Sequence, residues 1–99
     1  MVQNNEITSQ DKYLSTLEIT SLSGARTIEQ LTIFKEIGQT PNIGDFIEAI
    51  KTELGEQVEI EELHPYWKFK TVLGYPTNIK NFKVLRTMLD NTFQKITLI

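Results

Sequence analysis

Residues 57–73 constrain the fold of this chain more than any other stretch. Val58 and Ile60 alternate with glutamates, and Trp67 and Phe69 alternate with lysines, which is the two-residue period of half-buried strands. Between the two runs, His64 and Pro65 supply a turn. The pattern predicts a β-hairpin with one apolar face and one face of paired charges.

The apolar pattern also selects the register of this predicted hairpin. If position 62 faces 67, Ile60 lies opposite Phe69, and the acids at 61 and 59 lie opposite Lys68 and Lys70. A shift by one residue would turn the side chains of one strand to the wrong face. We therefore expect the pairs Glu61 with Lys68 and Glu59 with Lys70.

The rest of the chain supplies one strong helix and several strands. Residues 13–22 are rich in Thr, Ile and Leu, which predicts a strand. Residues 27–37 are interpreted as a second strand, with a helix as the alternative. Residues 45–54 carry an acidic first turn, one apolar arc and Gly55 past the end, which predicts an amphipathic helix.

A second helix is expected over residues 78–93. Ile79, Phe82, Leu85, Leu89 and Phe93 recur at helical spacing. Residues 94–99 alternate like a short final strand, with the end of this helix as the alternative. Residues 1–10 are polar and are expected to form a flexible arm in front of a single domain over 11–99. Ninety-nine residues allow one core.

These elements predict an α+β fold, with a small mixed sheet packed against two helices in the order ββαββαβ. In that order, and in the helix that follows a strand and a Pro41 loop, the chain resembles a β-grasp domain of the ubiquitin type. Ubiquitin-like carriers end in Gly-Gly, whereas this chain ends Thr97, Leu98, Ile99, so the resemblance implies a binding domain. If residues 27–37 were helical, the alternative would be a winged-helix-like fold.

Charge is distributed unevenly between the two parts of the chain. Residues 1–63 hold twelve acids and four bases, and residues 64–99 hold six bases and one acid, Asp90. This asymmetry can indicate a nucleic-acid surface or internal neutralisation. In the winged-helix alternative, the acidic helix 45–54 would repel DNA.

The chain carries few residues that could perform chemistry. Without cysteine it has no disulfide, no thiolate metal site and no cysteine nucleophile. His64 is the only histidine and is expected to be an exposed turn residue. The glutamates near residue 60 alternate between faces, so no metal site is predicted, and no catalytic residue or cofactor site is assigned.

A binding function is therefore expected. We predict a small non-enzymatic protein-binding domain, such as an adaptor, a complex subunit or an inhibitor of a larger protein, with self-association as a homodimer a further expectation. No membrane contact or small-molecule substrate is inferred, and the absence of an apolar leader or span predicts a cytoplasmic location. The alternative is a nucleic-acid-binding protein that uses its basic C-terminal half.

The candidate partner-binding residues lie in this basic part of the chain. Aromatic and basic side chains interleave near Trp67, and bases flank the apolar stripe of the predicted second helix. Two apolar residues at the margin of that stripe complete the set. The residues assigned are Tyr66, Lys68, Lys70, Lys80, Lys83, Val84, Arg86 and Met88.

Overall fold

The fold was analysed in a computed structural model, which describes residues 10–74 and 76–91. Five strands and one helix make up this part of the chain. Their bounds are β1 Gln10–Ser21, β2 Arg26–Glu36, α1 Ile43–Ala49 continued by a π-helical segment Ile50–Leu54, β3 Val58–Glu62, β4 Lys68–Thr71 and β5 Ile79–Leu89.

The first two strands form a long antiparallel hairpin that confirms the strand interpretation of residues 27–37. β2 pairs with β1 from Arg26 to Glu36. Leu31 and Ile33 of β2 are buried, whereas Ile28 on the opposite face is exposed. The winged-helix alternative is wrong because this segment completes a strand ladder.

The predicted helix exists and begins two residues earlier than expected. Asn42 is its N-cap, and Asn42 and Asp45 form a reciprocal capping box in which each side chain accepts the other's backbone N–H at 2.9 Å. The last turn widens to π geometry and ends at Gly55, whose φ of 75° suits a residue without a Cβ. Phe46 and Ile50 point from this helix into the core.

The central hairpin is present, but its predicted register is only half right. Ile60 pairs with Phe69 and Glu59 with Lys70, as expected. Nearer the turn a β-bulge at Glu61 places Glu62, not Glu61, opposite Lys68. The prediction failed there because strict alternation cannot detect an inserted residue.

The predicted second helix over 78–93 is wrong, since residues 79–89 form β5. β5 pairs with β1 on one side and with β4 on the other. Two register shifts in the β1–β5 ladder, at Lys80 and at Leu85, interrupt the period of two. These bulges space the apolar residues three or four apart, which mimics helical periodicity.

The sheet is antiparallel throughout, with strand order β2-β1-β5-β4-β3. The expected ββαββαβ order and the β-grasp-like arrangement are therefore wrong: a single twelve-residue helix, 43–54, packs on a five-stranded sheet. All strands and the helix contribute to one core. The buried apolar residues are Leu17, Ile19, Leu31, Ile33, Phe46, Ala49, Ile50, Val58, Phe69 and Phe82.

Other predictions concern the chain ends and the membrane. The arm predicted over 1–10 and the strand predicted over 94–99 fall outside the described residues, except for Gln10, where β1 begins. Within the described residues, α1 with its π-helical continuation is too short and too polar to cross a lipid bilayer.

Candidate interaction surface

The sheet has two faces, and α1 covers one of them. We call the other the open face, because no helix or strand within residues 10–74 and 76–91 packs over it. The side chains of this face are assigned from the strand registers, in which core residues and open-face residues alternate. They include Leu14, Thr16, Glu18, Ile28, Gln30, Glu59, Glu62, Lys68, Lys70, Lys83, Arg86 and Met88.

A row of four charged residues crosses the open face. Glu18 lies opposite Lys83, Lys83 opposite Lys68, and Lys68 opposite Glu62. Two neighbouring lysines alone would repel each other, but an acid flanks the pair on each side. Lys68 Nζ lies 3.4 Å from a Glu62 carboxylate oxygen.

Lys70 is paired in the adjacent row. Its Nζ lies 3.9 Å from a Glu59 carboxylate oxygen, and both side chains are about half exposed. Such an exposed pair contributes little to stability, typically below 1 kcal/mol. Lys68 and Lys70 thus each present their charge together with a neutralising glutamate.

Tyr66 extends the basic part of the open face beyond the strand ladder. It lies in the β3–β4 turn, and Lys83 Nζ is 4.6 Å from the centre of its ring. An ammonium over an aromatic ring is an attractive cation–π arrangement. The hairpin turn therefore positions an aromatic side chain beside a lysine of β5.

Arg86 and Met88 continue this surface along β5. They lie opposite Thr16 and Leu14, respectively. The bulge at Leu85 shifts the parity of the strand, so Lys83, Arg86 and Met88 share one face despite their uneven spacing. Within the described ranges, neither Lys83 nor Arg86 forms an ion pair.

The structure brings together six of the eight predicted partner-binding residues. Tyr66, Lys68, Lys70, Lys83, Arg86 and Met88 lie on the open face. Lys80 is the extra residue of the other β5 bulge, at the far end of the strand from Arg86. Val84 lies opposite the buried Leu17 and packs against the core, so it belongs to the covered face.

Sequence reasoning missed a pocket on the covered face. A twelve-residue helix spans about 18 Å, whereas a twelve-residue strand spans about 40 Å, so α1 leaves part of the sheet beyond its first turn uncovered. A pocket of about 290 Å³ opens there. Its lining residues are Tyr13, Thr40, Pro41, Phe46, Trp67, Val84 and Thr87.

The walls of this pocket are aromatic and held in place. The rings of Phe46 and Trp67 meet edge to face, with centroids 5.5 Å apart, and Phe46 stacks on Phe69 at 6.3 Å. The lining side chains are uncharged, and the polar groups among them are the hydroxyls of Tyr13, Thr40 and Thr87 and the indole N–H of Trp67. No sequence motif indicates this pocket, because its residues come from distant strands and loops.

The start of α1 next to the pocket is fixed by an ion pair. Lys35 Nζ lies 2.8 Å from Asp45 Oδ2, and this oxygen also accepts the Asn42 amide at 2.9 Å. Partial burial tends to raise the pKa of the Asp45 carboxyl, but the Lys35 and Asn42 hydrogen bonds outweigh it, so the pKa lies below its ordinary value. Asp45 thereby ties β2 to the helix that forms one pocket wall.

The sequence also raised two possibilities for chemistry, a role for the single histidine and a metal site formed by acidic residues. His64 is exposed at the tip of the β3–β4 hairpin. Across the part of the chain that the structure describes, no three His, Asp or Glu side chains are grouped closely enough to hold a metal ion.

Comparison of the chain with protein-family models, with curated proteins and with solved structures finds no match.

Proposed function

We propose that this chain is a non-enzymatic protein-binding domain whose open face docks on an acidic surface of another protein. The observation that carries the proposal is the convergence of Tyr66, Lys83, Arg86 and Met88 on a sheet face that no described element covers. An aromatic ring, an arginine and a methionine on one surface are typical of protein interfaces.

The charge distribution favours an acidic protein over a second copy of this chain. A twofold dimer whose axis passes through the Lys83 and Arg86 part of the open face would place these bases near their own copies. The exposed side of the helix carries Glu48 and Glu53 beside a single base, Lys51, but a contact between it and the open face of a second copy would be head-to-tail and would not close as a twofold dimer. A partner with carboxylates opposite Lys83 and Arg86 would neutralise these two bases of β5.

The nucleic-acid alternative is less well supported by the same face. Phosphate recognition depends on the number of cationic groups that are available to the backbone. Lys68 and Lys70 are each paired with a glutamate, which would stand close to any bound phosphate. The open face is thus a mixed-charge surface with an aromatic and apolar margin.

A pair of charge reversals tests the proposal. Arg86→Glu changes the open face, and Lys51→Glu makes the same charge change on the helix. The tagged chain is used to capture partners from its source cells, and a carbodiimide then joins lysines to neighbouring carboxylates. We expect one captured protein to be linked through Lys83, and its recovery to fall at least about fivefold with Arg86→Glu and to stay unchanged with Lys51→Glu.

Two outcomes would contradict the proposal. Equal recovery with both variants, or links confined to Lys51, would place binding elsewhere. Binding of a fluorescent single-stranded oligonucleotide at low salt that is lost with Arg86→Glu would establish the nucleic-acid alternative. Light scattering on the same samples identifies a dimer.

A further inference from the structure

The described part of the sheet presents several backbone edges, and two of them are guarded. On β2, the Thr32 N–H is directed away from β1 and is accepted by both carboxylate oxygens of Glu53 at 3.3 Å. The β3 edge carries the exposed glutamates 59, 61 and 62. Charged side chains along an edge discourage the addition of another strand.

The edge of β5 beyond β4 is different. β4 pairs with β5 only at Asn81, Phe82 and Lys83, and one further bond joins the Val84 N–H to the Trp67 carbonyl. Residues 85–89 pair with β1 on their other side alone, as far as the described ranges show. The short β4 thus leaves the edge of β5 unpaired by any described strand over residues 85–89, a length of about 17 Å, and we call this edge the notch.

The backbone groups that face this notch can be assigned. The Asp90 N–H donates to the Lys12 carbonyl, so Asp90 is directed towards β1. Because directions alternate along a strand, the N–H and C=O groups of Thr87 and Leu89 are directed into the notch. They offer two donors and two acceptors at strand spacing.

The notch lies between the aromatic pocket on the covered face and the basic residues of β5 on the open face. On the covered face, Thr87 and Trp67 line the aromatic pocket of about 290 Å³. On the open face, the neighbouring β5 side chains are Arg86 and Met88. A strand added to β5 would direct alternate side chains to these two surfaces.

We infer that the notch binds an extended segment of the partner protein as an added strand. This inference rests on the proposed function and names the segment it uses. Side chains that enter the pocket are uncharged and apolar, because no lining group compensates for burial of a charge there. Side chains that face Arg86 are acidic, so the segment alternates acidic and apolar residues and pairs its backbone with Thr87 and Leu89.

A synthetic heptapeptide serves as the probe, with the sequence Glu-Val-Glu-Phe-Glu-Val-Glu and both ends blocked. Trp67 is the only tryptophan and lines the pocket, so its emission reports occupancy. We expect saturable binding and slower hydrogen exchange of the Thr87 and Leu89 amides. Methylation of alternate peptide nitrogens retains the side chains and removes the ladder donors, which should weaken binding at least about tenfold.

Proline substitutions test the edge from the side of the protein. Thr87→Pro removes an N–H that faces the notch and leaves the β1 ladder donors in place. Thr87→Val keeps this N–H and controls for loss of the hydroxyl, which lines the pocket and lies 3.0 Å from Ser15 Oγ. Gln30→Pro removes an outward N–H from β2 and is the matched control. We expect peptide binding to be lost with Thr87→Pro and retained with Thr87→Val and Gln30→Pro, and the methylated peptide gives the same information if Thr87→Pro does not fold.

Several results would overturn the inference. Equal affinity for the methylated and unmodified peptides would mean that no strand is added. Slow exchange of the Thr87 and Leu89 amides in the free protein would mean that the edge is already occupied, by this chain or by a second copy. If Arg86→Glu abolishes partner capture and Thr87→Pro does not, the open-face function stands and strand addition fails.

Discussion

At the scale of single residues, Phe46 connects the core to the candidate pocket. It is 1% exposed, stacks on Phe69 and meets Trp67 edge to face. Truncation of a buried aromatic residue removes apolar contacts and leaves a cavity. The same side chain therefore determines both stability and the shape of the pocket wall.

We expect Phe46→Ala to lower the free energy of unfolding by about 3–5 kcal/mol. Urea titration followed by Trp67 emission and by far-ultraviolet circular dichroism measures this change. Leu73→Ala is the control, because Leu73 is 95% exposed and its loss should change stability by less than about 0.5 kcal/mol. A small loss for Phe46→Ala would contradict the observed packing.

Asp45 makes a residue-scale contribution that depends on pH. Because its pKa is lower in the folded chain than in the unfolded chain, the unfolded state binds a proton first as the pH falls. The stabilisation is complete above the unfolded pKa and is lost as the pH falls through the folded pKa. We therefore expect wild type to lose its advantage over Asp45→Asn below about pH 4.

Nuclear magnetic resonance titration of the Asp45 carboxyl, together with urea unfolding at several pH values, tests this expectation. Lys35→Met should raise the pKa of Asp45, since it removes the 2.8 Å ion pair and retains the aliphatic stem. Lys51→Met is the control for removal of a lysine outside this pair. An unchanged Asp45 titration in Lys35→Met would contradict the assigned cause.

At the scale of elements, the sequence predicts the strands that are regular and fails for the strand that contains bulges. β1, β2 and the start of the central hairpin keep an uninterrupted period of two, and the sequence predicts them. β5 has bulges at Lys80 and Leu85, and its apolar residues then imitate a helix. Bulges depend on pairing with a distant strand, so a local pattern cannot reveal them.

The candidate surface was partly predicted for the wrong structural reason. The sequence groups Lys83 and Arg86 because residues three apart share a face of the predicted second helix. They share a sheet face instead. In a regular strand, residues three apart lie on opposite faces, but the extra residue at the Leu85 bulge brings Lys83 and Arg86 to the same face. Lys80 is separated from them by the same kind of irregularity, and the notch beside β5 depends on the length of β4, which no motif encodes.

The bulge at Glu61 supports a prediction about the hairpin. In double-mutant cycles at low salt, Glu62 and Lys68 should couple by about 0.2–1 kcal/mol, as exposed cross-strand ion pairs do. Glu61 and Lys68 should show no coupling, because they are not cross-strand partners. The glutamates are replaced by glutamine and Lys68 by methionine, and urea unfolding measures the free energies. Stronger coupling of Lys68 with Glu61 than with Glu62 would contradict the bulge and support the regular register.

At the scale of the whole molecule, one helix and five strands form a thin two-layer domain. The principal extents are 53 × 25 × 20 Å, and β1, of twelve residues, is the longest strand. A helix of twelve residues cannot cover such a sheet, so one face and part of the other have no helix over them within residues 10–74 and 76–91. Both proposed binding features arise from this mismatch between helix and sheet.

The carboxylate of Glu53 has a consequence for behaviour at high concentration. It occupies the outward N–H of Thr32 in the middle of an eleven-residue edge strand that also exposes Ile28. Glu53→Ala should leave thermal unfolding nearly unchanged but promote fibrils that bind thioflavin, whereas Glu48→Ala should not. This one glutamate would then help to set the solubility limit of the protein, a selective pressure distinct from folding and from recognition.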